Sequence, residues 1–246
     1  MTLCVRGYPD QALHQGQEAL RLAQELAHPH TLTVALDWVA WLHQFRREGP
    51  ATQAWAETAM PISNAHGIVH QLALENILRG WALAAQGQGE AGVAQMREGL
   101  TAWGAMGAEL YRPYQLLQLA EVYGAVGQAE AGLHVLAEAR AAVPHQEGRF
   151  FAAELLRLEG ELLLVCAPAH HAEAETCFRQ ALDIAGHQQA KSLELRAATS
   201  LARLWQQQGK RAAAYDLLAP VYGWFTEGFD TADLQDAKTL LDELAR

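Results

Sequence analysis

The sequence predicts an all-α fold, a solenoid of stacked antiparallel helix hairpins with a repeat of about 40 residues. Three observations carry that expectation. The 246 residues include 47 Ala and 36 Leu against 11 Val and 4 Ile. Ala and Leu are strong helix formers, whereas β-branched residues suit half-buried strands, so sheet-based enzyme folds such as Rossmann domains and hydrolases are excluded. A Gly followed five positions later by a small residue recurs along the chain. Between these signals, apolar residues fall three and four apart, the spacing of one helix face.

The recurring pair appears as Gly7/Ala12, Gly49/Ala54, Gly87/Gly92, Gly127/Gly132 and Gly209/Ala214, with Ala169/Ala174 as a sixth copy. The intervals between first positions are 42, 38, 40, 42 and 40. Gly can take φ > 0 and end a helix without a Cβ penalty. The small residue then falls in the first turn of the next helix, where two backbones must approach. A large side chain at Ala54 or Gly132 is expected to wedge the hairpin apart.

The expected units are 1–28 (partial), 29–66, 67–108, 109–146, 147–188 and 189–228, with a capping helix at 230–246, all in one domain. Gly7 leaves the first helix A at most about six residues, so the first unit is nearly all helix B. Its apolar face then lacks a partner, which predicts an exposed end, scope for self-association and a segment cut from a longer chain. Trp38, Trp41 and Phe45 mark the second unit, and Gly80 and Leu83 the third. The fourth shows the pattern in full. Leu116, Leu119, Ala120 and Tyr123 share a face, Gly127 turns the chain, Gly132, Leu136 and Ala139 follow, and Pro144 closes the helix. Leu156, Gly160 and Leu163 precede Ala174, Phe178 and Ala181 in the fifth, where Ala167–His171 reads as a loop because of Pro168. Leu201, Ala202 and Trp205 precede Ala214 and Leu218 in the sixth. Asp230 or Thr231 then N-caps a helix carrying Leu234, Ala237, Leu240, Leu241 and Leu244.

Large, large, small and aromatic residues on helix A, then small, large and small on helix B, resemble the tetratricopeptide pattern, which implies a right-handed superhelical solenoid. HEAT repeats share the length but not this turn. Three stretches further resemble the C-terminal tetratricopeptide region of large bacterial regulators. They are Arg112-Pro113-Tyr114 to Leu119-Ala120-Glu121-Val122-Tyr123, Ala153-Glu154-Leu155-Leu156-Arg157-Leu158-Glu159-Gly160-Glu161-Leu162-Leu163, and Ala190-Lys191-Ser192-Leu193-Glu194-Leu195-Arg196 through Trp224-Phe225-Thr226-Glu227-Gly228-Phe229-Asp230-Thr231. Those regulators carry a class III adenylate or guanylate cyclase domain or a DNA-binding domain, then a STAND-type ATPase, and the repeat array last. The resemblance covers about residues 70–246. It implies a surface that senses a ligand or partner and restrains neighbouring domains, with cyclase or ATPase domains as candidate partners. No P-loop occurs, since Gly209-Lys210 is followed by Arg and lacks the upstream Gly, so no nucleotide-binding or catalytic residue carries over.

Composition narrows function further. The net charge is −10, with three lysines (Lys191, Lys210 and Lys238), against the basic surface that nucleic-acid binding needs. No apolar stretch reaches membrane-spanning length, and the first residues lack a signal-peptide core. Cys4, Cys166 and Cys177, odd in number and widely spaced, read as reduced thiols of a cytoplasmic protein. His66 and His70 share metal-ligand spacing, but Gly67 lies between them and a third ligand is missing. His170 and His171 with Glu173 and Glu175 read as a solvated loop. Neither a metal nor a cofactor is expected.

Helix A lines the concave face of such a solenoid. Its positions off the packing stripe are His43, Arg46, Trp81, Tyr114, Glu121, Glu154, Arg157, Glu161, Arg196 and Arg203. Mixed acids, arginines and aromatics suit a protein or peptide partner. A groove gripping a chaperone C-terminus would show lysine and asparagine there instead. The expected function is a non-catalytic, regulatory interaction module. A small-molecule sensor using Trp81 and Tyr114 is the alternative, and an enzyme the remote one.

Overall fold

The computed structural model describes residues 1–107, 111–141 and 151–246. Thirteen α-helices occur among them: α1 (Thr2–Val5), α2 (Pro9–Leu26), α3 (Pro29–Phe45), α4 (Gly49–Ala65), α5 (Val69–Ala85), α6 (Gly89–Ala105), α7 (Arg112–Ala125), α8 (Ala129–Ala141), α9 (Ala152–Cys166), α10 (His171–Gln188), α11 (Lys191–Gln207), α12 (Arg211–Tyr222) and α13 (Ala232–Leu244). No strand is present among the described residues. Each long helix packs on the next in sequence, and α3, α5, α7, α9, α11 and α13 also pack on one another in order. These odd-numbered helices form the inner layer, and α2, α4, α6, α8, α10 and α12 the outer one. Pro144 lies outside the described residues.

The turns keep a stricter beat than the sequence pairs suggest. Positive φ falls at Gly7, Ala27, Arg47, Gly67, Gly87, Gly107 and Gly127, every 20 residues. A helix of about 17 residues plus its turn fills each step, so both helices of a hairpin are equally long. This corrects the second pair. Gly49 is the first residue of α4, and the left-handed position belongs to Arg47 (φ 65°). The small partner is therefore Thr52, which is fully buried, whereas Ala54 is exposed. The apparent intervals of 42 and 38 become 40 and 40. Among the described residues the further left-handed turns after Gly127 include Gln189, Gly209 and Gly228, spaced 20 and 19 apart. At Pro168–His170 the expected loop is a single 3-10 turn, because Pro at a first helical position loses no hydrogen bond.

Glycine sets how closely α5 and α6 meet. A Cβ at Gly92 would lie 2.5 Å from the Gly80 carbonyl oxygen, and one at Gly80 would lie 2.8 Å from the Gly92 oxygen. Trp103, Met96, Ile77 and Leu78 fill the space beside this crossing. In α9 the core side is Leu155, Leu158 and Leu162, with Leu156 and Leu163 half-buried; the apolar stripe sits one residue earlier than expected. The α13 stripe of Leu234, Ala237, Leu240, Leu241 and Leu244 is buried as expected, with Thr231 at the N-cap.

The array closes on itself. The α1 helix packs on α11, where the Ser192 hydroxyl donates to the Cys4 carbonyl at 2.5 Å. Cys4 and Val5 are buried, so the first helix is not the bare edge that its shortness suggested. The superhelix brings the sixth hairpin round to cover it. Leu22 and Leu26, at the far end of α2, do remain exposed.

Candidate functional site

The inner layer presents its side chains in a ladder. With a 40-residue repeat, Trp41, Trp81, Glu121 and Glu161 occupy equivalent positions on α3, α5, α7 and α9. Adjacent rungs touch: the Trp81 indole N–H donates to Glu121 at 3.1 Å. A second row runs through Tyr114 and Glu154. The inner ends of α3, α11 and α13 complete the wall.

A charged network spans these rows. Arg157 grips Glu154 with two hydrogen bonds, Nη2 at 2.6 Å and Nε at 3.0 Å, and reaches Glu161 through Nη1 at 2.5 Å. Ser200 donates to the same Glu161 at 2.7 Å. Arg196 donates to Asp233 at 2.6 Å and to the Phe45 carbonyl at 2.6 Å, lies 3.5 Å from Glu154, and stacks on the Phe45 ring. Arg47 stands between Glu121 (3.5 Å) and Asp233 (3.6 Å). Three arginines thus meet four carboxylates, a nearly balanced set.

Burial and pairing set the protonation states. Burial alone would push the Glu154 carboxyl up, but Arg157, Arg196 and Arg47 outweigh it and hold it down at about 2. Burial opposes the charge on Arg157 and Arg196 as well, and the facing carboxylates more than restore it. Burial raises the Tyr114 hydroxyl, which donates to Gln44 at 2.7 Å, while its ring packs on Trp41 and Phe151. All three arginines and Glu154 are therefore ionised at neutral pH.

A second cluster lies where the ends meet. The buried Arg46 guanidinium binds Glu48 at 2.7 Å, Asp10 at 2.9 Å and both Asp230 oxygens at 3.2 Å. His43 pairs with Glu48. Asp10 also accepts from the Gly228 N–H at 2.9 Å. The Glu227 carboxylate caps α2, accepting from the Asp10 and Gln11 N–H groups at 3.0 and 3.1 Å.

Of the ten residues singled out by sequence, Trp81, Tyr114, Glu121, Glu154, Arg157, Glu161 and Arg196 come together on the inner face. His43 and Arg46 sit in the closing cluster. Arg203 stands at the rim, 3.5 Å from Asp236 and half-exposed. Trp81 and Tyr114 are buried with hydrogen-bond partners of their own. Arg47, Asp233 and Ser200 were missed. Arg47 occupies a turn position where Gly is the usual signal, and Asp233 lies on the capping helix, outside the repeat register. Among the described residues no three potential metal ligands converge, and no helix is long and apolar enough to cross a membrane. Cys4 is buried, Cys177 half-buried and Cys166 exposed, all three unbridged.

Equal helices, left-handed turns and an inner layer of alternate helices define a tetratricopeptide-like repeat solenoid. Solved structures with this architecture include BtubC (BKLC) from P. vanneervenii, which is 14% identical over 97% of this chain and 90% of that one, with a TM-score of 0.57. Two structures of a Podosopora anserina protein assigned as a kinesin light chain, built of nearly identical TPR-like repeats, are also similar. The Q17M form is 19% identical, covers 80% of this chain and 95% of its own, and has a TM-score of 0.51. The other is 17% identical, covers 89% and 99%, and has a TM-score of 0.50. No protein-family model matches the sequence, and no curated protein matches it.

Proposed function

We propose that this protein is a non-catalytic, cytoplasmic interaction module that holds a segment of a partner protein against its inner face. One observation carries the reading: the inner helices α7, α9, α11 and α13, with Arg47 from the turn after α3, present a row of arginines and carboxylates whose rim stays open to solvent. Glu161, Arg203, Asp236 and Arg47 each keep a large share of their side chains exposed. The buried Glu154 and Arg157 and the part-buried Arg196 fix the positions of that rim. Near charge balance favours a polar segment of mixed sign over a strongly basic or acidic one. A small molecule in the same groove is less well supported, since Trp81 and Tyr114 already engage Glu121 and Gln44. A place inside a larger regulator, beside cyclase or STAND-type ATPase domains, rests on the three resembling stretches alone. Self-association through α1 would require the closure to open.

Photo-crosslinking in the native cell tests the reading. A crosslinker replacing Arg203 or Glu161 is expected to capture the same partner chain, and one replacing Tyr215, exposed on the outer helix α12, is expected to miss it. Capture of one common set from all three positions would overturn the proposal.

A further inference from the structure

A buried carboxylate on α3 stands outside the charged network. The α3 run from Val34 to Phe45 is apolar but for Asp37, Gln44 and the half-buried His43. In the 40-residue register Asp37 is the equivalent of Arg157, with Ile77 and Leu117 between them. Asp37 is 2% exposed, and neither of its oxygens has a hydrogen-bond partner among the described residues. A carboxylate buried without a partner is strongly disfavoured in its charged form, so its surroundings call for an explanation.

Those surroundings are aromatic. Asp37 lines a cavity of about 130 Å³ together with Trp38, Trp41, His70, Trp103 and Tyr111. Trp38 and Trp41 stack at 5.2 Å, and Tyr111 stands at right angles to Trp38 and nearly so to Trp41. His70 lies over Trp103 at 4.0 Å with its Nδ1 engaged by Gln71, so it offers the carboxylate little from that atom. The other titratable group acting on Asp37 is Glu75, an acid, so it supplies no counter-charge. Ring faces attract cations through their quadrupole, most strongly for Trp and when desolvated. Burial and the Glu75 charge favour a protonated Asp37 while the cavity is empty, and a cation entering it favours the carboxylate, which then adds a full charge and hydrogen-bond acceptors. A cavity of roughly 150 Å³ takes a molecule of benzene size.

We propose that this cavity is a binding site for a small alkylammonium group, with Asp37 accepting its N–H bonds and the Trp38, Trp41 and Trp103 rings enclosing its charge. The site shares Trp41 with the inner-face ladder but lies outside the charged network, and the proposal does not rest on the partner groove. The group is carried either by a free amine or by a lysine side chain of a bound protein.

Ligand-observed NMR and calorimetry on the full chain test this with n-butylammonium, 1-butanol as its neutral counterpart and Nα-acetyl-lysine methylamide. Wild-type protein is expected to bind butylammonium and not butanol, and Asp37→Asn to weaken amine binding more than about tenfold. Binding of the lysine derivative as well assigns the site to chain-borne lysine; binding of butylammonium alone assigns it to a free amine. Trp38→Leu, at a half-buried wall position, is expected to weaken binding while keeping the carboxylate, and it serves if Asp37→Asn does not fold. Equal binding of amine and butanol, no amine binding at tens of millimolar, or binding untouched by both substitutions would overturn the proposal.

Discussion

Glu154 and Glu75 are both buried carboxylates, and their partners move them in opposite directions. Glu154 has three arginines near it and is held down at about 2. Glu75 has burial, opposed by one hydrogen bond from Ser63 at 2.5 Å, and is pushed up to about 7. A lowered carboxylate stabilises the fold above its unfolded value of 4.5, and that stability is lost as pH falls through the folded value. Stability should therefore drop from about pH 4.5 towards pH 2 as Glu154 takes up its proton. A raised carboxylate has the opposite sign, because between 4.5 and 7 the folded state binds the extra proton. Stability should then also fall as pH rises from about 4.5 to about 7, by up to about 1.4 kcal/mol per pH unit for one group. Asp37, raised by its burial and by the Glu75 charge, acts in the same sense. Urea unfolding across this range checks both arms: Glu75→Gln should flatten the upper slope and leave the lower one in place.

The helix hairpin is the element through which sequence became readable. Its face pattern and its glycine turns are local properties, so period, helix order and most core stripes followed from residue types alone, the α9 stripe being one residue off. What escaped were features set by neighbours further away. Arg47 takes a left-handed turn although an L side chain there costs about 1–2 kcal/mol, because its guanidinium lies between Glu121 and Asp233. No residue near Arg47 in sequence announces those two. The inner-face residues were legible since they recur at the same register, whereas their mutual pairing depends on curvature, which composition does not encode. Glycine also does two separate jobs that spacing alone does not distinguish. At Gly92 it removes a clash with backbone, and at Gly67 it supplies φ 63° with nothing within 4 Å of a would-be Cβ. Gly67→Ala should therefore cost about 1–2 kcal/mol from backbone strain. Gly92→Ala should cost more, about 1–3 kcal/mol or above, because the Gly80 carbonyl 2.5 Å away must move and take α5 with it. Thermal unfolding of the pair decides the order, and a milder Gly92→Ala would mean that α5 and α6 can slide apart.

At the scale of the whole molecule, closure converts an open array into one with few loose ends. A solenoid whose repeats touch only their neighbours can fray from either terminus. Here the first and last parts share one arginine. Arg46 is almost wholly buried, while Asp10 and Asp230, its links to α2 and to the approach of α13, are half-exposed or more. Pairs of that kind fall between the roughly 0–1 kcal/mol of exposed bridges and the 3–5 kcal/mol of buried ones. Arg46→Ala removes the cation, leaving Asp10, Glu48 and Asp230 to repel one another. The α1–α11 packing, the Glu227 cap of α2, the Gly228 N–H bond to Asp10 and the packing of Tyr8 on Trp224 then remain to hold the closure. Hydrogen exchange should show protection falling together in α1, the first turn of α2 and residues 224–231, with α5 and α6 unchanged. Raising salt should narrow the difference by screening the exposed carboxylates. If exchange rises in α2 alone, the ends are held by apolar packing around Phe225 and Trp224, and the arginine cluster only orders its own turn. Joint release would instead show that closure is one cooperative event, and would tie the width of the groove to the state of Arg46.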